Sequence, residues 1–269
     1  MMIAFVKHIS VYKNGAKMDL QLTQKVALVT GSSVGLGRSI ALCLAAEGCR
    51  LAVLARRETL LKSLADEIES MGHERPLIIV QDITAQDAAA KVKNEVDKKF
   101  NRLDILVNNA GGSRPITGLG TVEEWDEAMK LNFIAGRDLA HAFVEGMQQR
   151  KFGRIINITG GDEPVALNAG VPPNGAVHIW AKALSRYVGK DGVTINCIPP
   201  GRIHSEQIDQ RLLPSLESQK LWVDQNCPVG YIGDPEDLAC LVAFPSSPKA
   251  RYITGQVIYV DGGARRFSH

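Results

Sequence analysis

Cysteine is scarce in this 269-residue sequence and poorly spaced for staples: Cys43, Cys49, Cys197, Cys227 and Cys240 are odd in number and no two form a CxxC pair. That argues against a disulfide framework and against a zinc site, and it fits a reducing compartment. Net charge is nearly absent as well, +2 from 31 basic and 29 acidic residues. The strongly basic surface that nucleic acid requires is therefore missing, and Arg265-Arg266 is too short a cluster to supply one. A long apolar run at the start is lacking too. Met1–Val6 is broken at once by Lys7 and His8, too short for a signal-peptide core or a membrane span. A cytoplasmic protein with no membrane, nucleic-acid or metal partner is expected. Neither repeats, low-complexity tracts nor an interdomain linker interrupt the chain.

What remains is a composition of 45% hydrophobic and 22% charged residues, that of a globular protein large enough for one α/β domain. The domain is expected over residues 20–269. Residues 1–19 precede the first strand as an extension, and residues 1–17 are given no function.

The informative stretch is Thr30-Gly31-Ser32-Ser33-Val34-Gly35-Leu36-Gly37. It follows the apolar run Val26–Val29, which reads as a buried parallel strand, and precedes a helical pattern from Arg38. Glycines at 31, 35 and 37 let the backbone turn tightly and come close to a ligand, so that a phosphate can sit on the free N–H groups of the new helix. The expected guest is a dinucleotide pyrophosphate.

The alternation then continues. A nearly all-apolar helix over Ser39–Glu47 stops at Gly48; Leu51–Ala55 and Leu77–Val80 are strands around a helix over Leu60–Met71. A helix over Ala85–Phe100 leads to a strand over Leu103–Val107 that runs into Asn108-Asn109-Ala110-Gly111-Gly112. The second half adds a long helix from about 122 to 150, a strand over Arg154–Ile158, a helix over Gly175–Val188 and a strand over Val193–Ile198. Residues 202–227 show less order and suit a mobile cover. A helix begins at Asp234-Pro235-Glu236-Asp237, and Val257–Val260 is the last strand. Strands separated by single helices call for right-handed parallel crossovers, hence an α/β, three-layer doubly wound sheet of Rossmann type.

Several separated segments together resemble the short-chain dehydrogenase/reductase family over roughly residues 20–263: the turn Thr30–Gly37, Asn108-Asn109-Ala110-Gly111, Asn132 in Leu131-Asn132-Phe133, Lys182, Pro200-Gly201 and Asp261-Gly262-Gly263. The resemblance implies hydride transfer between a nicotinamide cofactor and a carbonyl or alcohol carbon. It places Gly31, Ser33, Gly35, Leu36 and Gly37 at the phosphates, Asp82 and Ile83 at the adenine, and Asn109, Ala110 and Gly111 along the cofactor. Lys182 would hold the nicotinamide ribose, while Pro200, Gly201, Ile203 and Ser205 would face the carboxamide. Asn132 would support a water-linked proton path. A homodimer or homotetramer is implied, with the helices around 122–150 and 175–188 packing across a two-fold axis.

Cofactor choice follows from the end of the second strand. Ala55 occupies the place where an acid would hold a ribose 2′-hydroxyl, and Arg56 and Arg57 follow it. A guanidinium grips a 2′-phosphate with two charge-assisted hydrogen bonds, so NADP is favoured over NAD.

The sequence departs from the family where the chemistry happens. The tyrosine that pairs with a lysine four residues later is replaced: the register reads His178-Ile179-Trp180-Ala181-Lys182. The spacing still sets both side chains on one helix face. No serine follows the fifth strand; Ile158-Thr159-Gly160-Gly161 stands there, with Thr159 adjacent to the vacated position. The segment to His178 is longer than the family's and carries Asp162, Glu163, Asn168 and Pro172-Pro173. Imidazolium is a stronger acid than phenol and serves as a proton donor in many sites. A nearby Lys182 ammonium would lower the histidine pKa, and Asp162 or Glu163, brought close, would raise it again. The catalytic set expected is thus His178, Lys182 and Asn132, acting on a small-molecule substrate. Two other readings stay open on the same fold: a nucleotide-binding protein without turnover that serves a partner, and a non-redox elimination or isomerisation.

Overall fold

The computed structural model describes residues 18–163 and 166–267; the extension at residues 1–17 lies outside them. Its centre is a six-stranded parallel sheet in the order β3-β2-β1-β4-β5-β6, built from β1 (Val26–Thr30), β2 (Arg50–Ala55), β3 (Leu77–Val80), β4 (Ile105–Asn108), β5 (Gly153–Ile158) and β6 (Val193–Ile198). The helices are α1 (Gly35–Ala46), α2 (Glu58–Ser70), α3 (Ala88–Phe100), α4 (Val122–Met129), α5 (Ala135–Gln149), α6 (Val171–Val188), α7 (Leu216–Asn226) and α8 (Pro235–Ser246).

β1 shows why the strands read as unbroken apolar runs. Ala27 and Val29 pack on one side with Leu44 of α1, Leu64 of α2 and Leu238 of α8. Val26 and Leu28 pack on the other with Val92 of α3, Leu139 of α5 and Val177 of α6. Successive side chains alternate between faces, and helices cover both, so the strand residues are mostly apolar. The result is the three-layer doubly wound arrangement expected. Strand order reverses between β1 and β4, and ligands of such sheets bind in the crevice at that switch, beyond the carboxyl ends of the strands.

Four elements differ from expectation. Residues 257–260 form no seventh strand; they run parallel to β6 through isolated bridges, Cys197 with Val257 and Pro200 with Val260. Pro199 and Pro200 carry no N–H, so a continuous ladder cannot be maintained there. The long helix over residues 122–150 is divided by a π-helical turn over Lys130–Ile134 between α4 and α5, a feature frequent at functional sites. α6 begins at Val171, earlier than expected, because Pro172 and Pro173 fall in its first turn, where a missing N–H costs nothing. The 202–227 segment is also more regular than its composition suggests. It holds a π-helical turn over Ile208–Leu212 and α7, whose start is fixed by a capping box between Ser215 and Ser218.

Candidate active site

The glycine turn has the backbone geometry that a phosphate cradle needs. Gly31 and Gly35 sit at φ +65° and +56°, where other residues are strained. A Cβ on Gly31 would lie 2.9 Å from Ala110 Cα, and one on Gly37 only 2.4 Å from the Gly31 carbonyl oxygen. α1 is preceded by Val34 as its N-cap, with no side-chain cap and no acid in its first turn. Its first N–H groups and dipole are therefore left for an anion, and the residues present fit a pyrophosphate. The far wall is tied to the turn by Asn109, which donates through Nδ2 to the carbonyls of Thr30 and Gly31 at 2.9 and 3.2 Å.

At the end of β2, Arg56 is open, its guanidinium 3.9 Å from Asp82 and its side chain 78% exposed. Asp82 itself accepts from the Thr84 N–H and hydroxyl, which hold its carboxyl below the ordinary value. Ile83 packs against the α3 side of the core. Arg57 behaves differently. It makes two bonds to Glu206, at 2.9 and 3.1 Å, and one to the Ser33 hydroxyl at 3.3 Å, so a carboxylate from beyond β6 reaches across the cleft to the glycine turn. Ser205 N–H donates to Asp209 and Ile203 is buried. Gly201 N–H donates to the Val260 carbonyl, and a Cβ on Gly201 would lie 2.6 Å from Asp261 Cα.

The chemical end is assembled around His178. This side chain is 8% exposed and extends from α6 between two partners: Nε2 lies 2.9 Å from the Thr159 hydroxyl and Nδ1 lies 3.4 Å from Asp162 Oδ2. Thr159 thus supplies a hydroxyl directly beside the imidazole. Gly160 cannot take a side chain unless Asn174 turns away, since a Cβ there would be 2.5 Å from Asn174 Nδ2. Burial lowers the His178 pKa below its ordinary 6.5, Asp162 pulls it back up, and Arg265 adds to the lowering. The cation acting on the imidazole is accordingly Arg265; Lys182 Nζ is directed to the Gly255 carbonyl at 3.2 Å.

Asp162 is itself held. Burial raises its pKa, but the Tyr259 hydroxyl that donates to it and the Arg265 and His178 charges outweigh that and keep it below its ordinary value. Arg265 lies over the Tyr259 ring, 4.0 Å from its centre, and donates to Glu163 at 3.0 Å. Glu163 also accepts from the backbone N–H groups of Arg266 and Phe267. Of the two acids in the long segment, Asp162 therefore faces the histidine and Glu163 ties down residues 265–267.

Asn132 lies in the π-helical turn. Its oxygen accepts from Gly112 N–H at 2.8 Å and its amide donates to the Ala128 carbonyl at 3.1 Å. Gly111 is crowded against it, a Cβ there falling 2.9 Å from Asn132 Oδ1. A cavity of about 20 Å³, the size of a single water, is lined by Asn132, Thr159 and Asn108. Asn108 Oδ1 is buried there without a partner. A larger cavity of about 450 Å³ lies beside Asp162 and is otherwise lined by Ala166, Leu167, Asn168, Val171, Pro172 and Gly175. Asn168 fixes this wall, accepting from Arg114 N–H and donating to the Ser113 hydroxyl. Among the described residues no cluster of His, Cys, Asp or Glu is placed to hold a metal, and no helix is long and apolar enough to cross a membrane.

The family model described as enoyl-(acyl carrier protein) reductase matches residues 31–265. The chain belongs to the short-chain dehydrogenase/reductase family. Within that family it is 33% identical to the 3-oxoacyl-(acyl-carrier-protein) reductase FabG of Vibrio cholerae over 91% of this chain and 98% of that one. It is 34% identical to the dehydrogenase subunit BbsD of Thauera aromatica, over 92% and 99%. The L-sorbose reductase of Gluconobacter frateurii, solved with NADPH and L-sorbose, superposes with a TM-score of 0.89 at 29% identity, covering 93% of this chain and all of that one. Relatives of this kind are NAD(P)-dependent oxidoreductases, and the chain is an enzyme of that class. Tyr259 and Arg265 are site residues that the sequence pattern did not indicate, and nothing in local spacing brings them to His178; Asn174, four residues before His178 on α6, could have been found by its spacing.

Proposed function

We propose that this protein interconverts a carbonyl and an alcohol with NADP as cofactor, using His178 as the acid/base in place of tyrosine. The observation that carries the reading is the continuous chain from the Thr159 hydroxyl through both nitrogens of His178 to Asp162, at 2.9 and 3.4 Å. When bound, the nicotinamide supplies or accepts the hydride. The residues of the chain do the rest. The turn Gly31–Gly37 and the first N–H groups of α1 hold the pyrophosphate, Arg56 the 2′-phosphate, and Lys182, exposed one turn beyond His178, the ribose. NADPH in the related L-sorbose reductase supports the choice of cofactor.

His178 stores the proton. With Nδ1–H directed to Asp162, Nε2 is the basic nitrogen, and it accepts from the Thr159 hydroxyl. In alcohol oxidation Nε2 takes the hydroxyl proton; in carbonyl reduction the imidazolium returns it to the developing alkoxide, with Thr159 donating to the same oxygen. Asp162 steadies the cation in the way a carboxylate behind a catalytic histidine does, and Tyr259 and Arg265 keep Asp162 in place. Asn132, through the adjoining small cavity, offers Thr159 a route to solvent protons.

The exposed side chains Ile179 and Tyr187 of α6, 76% and 69% accessible, form an apolar stripe that would be covered in a homodimer or homotetramer. The decisive experiment is stopped-flow observation of NADPH with a panel of ketones, in the natural protein and in His178→Phe. Loss of hydride transfer with retained NADPH binding is expected; equal rates in both proteins would remove His178 from the mechanism.

A further inference from the structure

The proposed reaction leaves the substrate open, and Arg202 narrows it. This residue directly follows Gly201 beyond β6, one position before Ile203, and it is half-buried. Burial alone shifts its guanidinium, downward, with no anion to compensate. Its described partner is the face of Trp222, whose ring centre lies 5.9 Å away.

The other arginines are tied or wet. Around the same cleft Arg57, Arg114 and Arg265 hold Glu206, Glu127 and Glu163. Elsewhere, Arg186, Arg211 and Arg251 have no polar partner among the described residues, but all three are exposed to water. Among the described residues Arg154 is more buried, but its guanidinium donates to the Ser247, Gly153 and Gly192 carbonyls; Arg202 combines partial shielding with a guanidinium that has no recorded polar partner. Removing a charge from water without a counter-charge is unfavourable, and an aromatic face returns only part of the loss.

Its position is set by the loop after β6 and by α7. Trp222 belongs to α7, which is tied at one end to the loop after β6, Gln219 donating to Asp209, and at the other to the segment behind His178, Arg266 donating to Asn226. Arg202 therefore lies beneath a helix anchored to both sides of the site. We propose that Arg202 binds an anionic group of the substrate, and that the substrate is an oxo acid: a carbonyl compound bearing a carboxylate. The planar fork of a guanidinium matches a carboxylate through two parallel bonds. One guanidinium, with its neighbours already neutralised by acids, suits a monoanion better than a phosphate dianion.

The proposal rests on the oxidoreductase reading for the carbonyl but not for the anion, and the test separates the two. Straight-chain oxo acids from 2-oxobutanoate to 6-oxoheptanoate, each beside its methyl ester, are titrated calorimetrically into the protein loaded with NADP. The best acid should bind at least about tenfold more tightly than its ester, as expected when a site built for a polar group meets an analogue lacking it. Arg202→Met, which keeps an apolar chain against Trp222, should abolish that ratio, and Arg202→Lys should restore part of it. Equal affinity for acid and ester across the series, a ratio unchanged in Arg202→Met, or no binding of either form would overturn the proposal. Thermal melts of the variants exclude unfolding as the cause. A protein that binds neither NADP nor NADPH refutes the cofactor reading instead, and the same titration on the free protein then still decides whether Arg202 is an anion site.

Discussion

The two ends of the cleft are built by different means. At the phosphate end the work is done by backbone: Gly31, Gly35 and Gly37 occupy one short stretch, and the groups offered to a ligand are N–H bonds that every residue has. At the chemical end it is done by side chains from distant segments, Thr159 and Asp162 after β5, His178 on α6, and Tyr259 and Arg265 near the other end of the chain. A backbone cradle tolerates change everywhere except at its glycines. A side-chain relay of this kind can be changed one residue at a time without touching the cradle.

Two large effects, one at each end, are expected, and the first comes from breaking the cradle. Gly37→Ala places a methyl 2.4 Å from the Gly31 carbonyl, and strain of this kind typically destabilises by about 1–3 kcal/mol. NADPH affinity, followed by the cofactor's fluorescence, should fall by more than about a hundredfold as the turn opens. Retained affinity would mean that the dinucleotide lies elsewhere. His178→Phe is the converse: affinity should persist while turnover drops by about 10²–10⁴-fold, the usual worth of a general acid/base.

A finer cut uses pH. His178 has a pKa below the ordinary 6.5, so its neutral, proton-accepting form prevails at pH 7. Alcohol oxidation should therefore hold a plateau at neutral pH and fall only as the pH drops through the depressed value, with carbonyl reduction rising over the same range. Asp162→Asn removes the carboxylate that raises this pKa, and both limbs should move to lower pH. A profile that is unchanged in Asp162→Asn would show that the carboxylate does not act on the imidazole. Stability follows the same sign. The unfolded chain takes up the proton first as pH falls below 6.5, so the melting temperature should decline there, less steeply in His178→Phe.

The smallest effect joins the two ends. Glu206 occupies Arg57 beside Ser33, and Glu206→Gln should free that guanidinium for the 2′-phosphate. The pair is about half exposed on both sides, and such pairs are worth at most about 1 kcal/mol, so NADPH should bind no more than about fivefold tighter. Weaker binding would instead give Glu206 a direct role in the site.

Much of this fold is legible in the sequence because parallel strands covered on both faces must be largely apolar, as Val26–Val29 is throughout and Val193–Ile198 is but for Thr194 and Asn196. Legibility fails where a rule needs a second segment to be seen. Residues 257–260 have a strand's pattern, and only the proline pair beside them breaks the ladder. The spacing Ser215 to Ser218 is a helix start that composition alone hides. At the site, the His178 to Lys182 spacing reads correctly as one helix face, but the contact of Thr159 with His178 depends on how the intervening loop closes. That of Arg265 with Asp162 spans most of the second half of the chain. Sequence offers both Asp162 and Glu163 as the acid beside the histidine; the choice between them is made by the Tyr259 hydroxyl and by the backbone of residues 266 and 267, which no local pattern reveals.

The clasp of Glu163 on residues 265–267 has a practical corollary for purified material. Molecules clipped after Asp261 would keep the nucleotide cradle intact yet lose the strap behind the imidazole. A partly clipped preparation would then bind cofactor as one species and titrate as two.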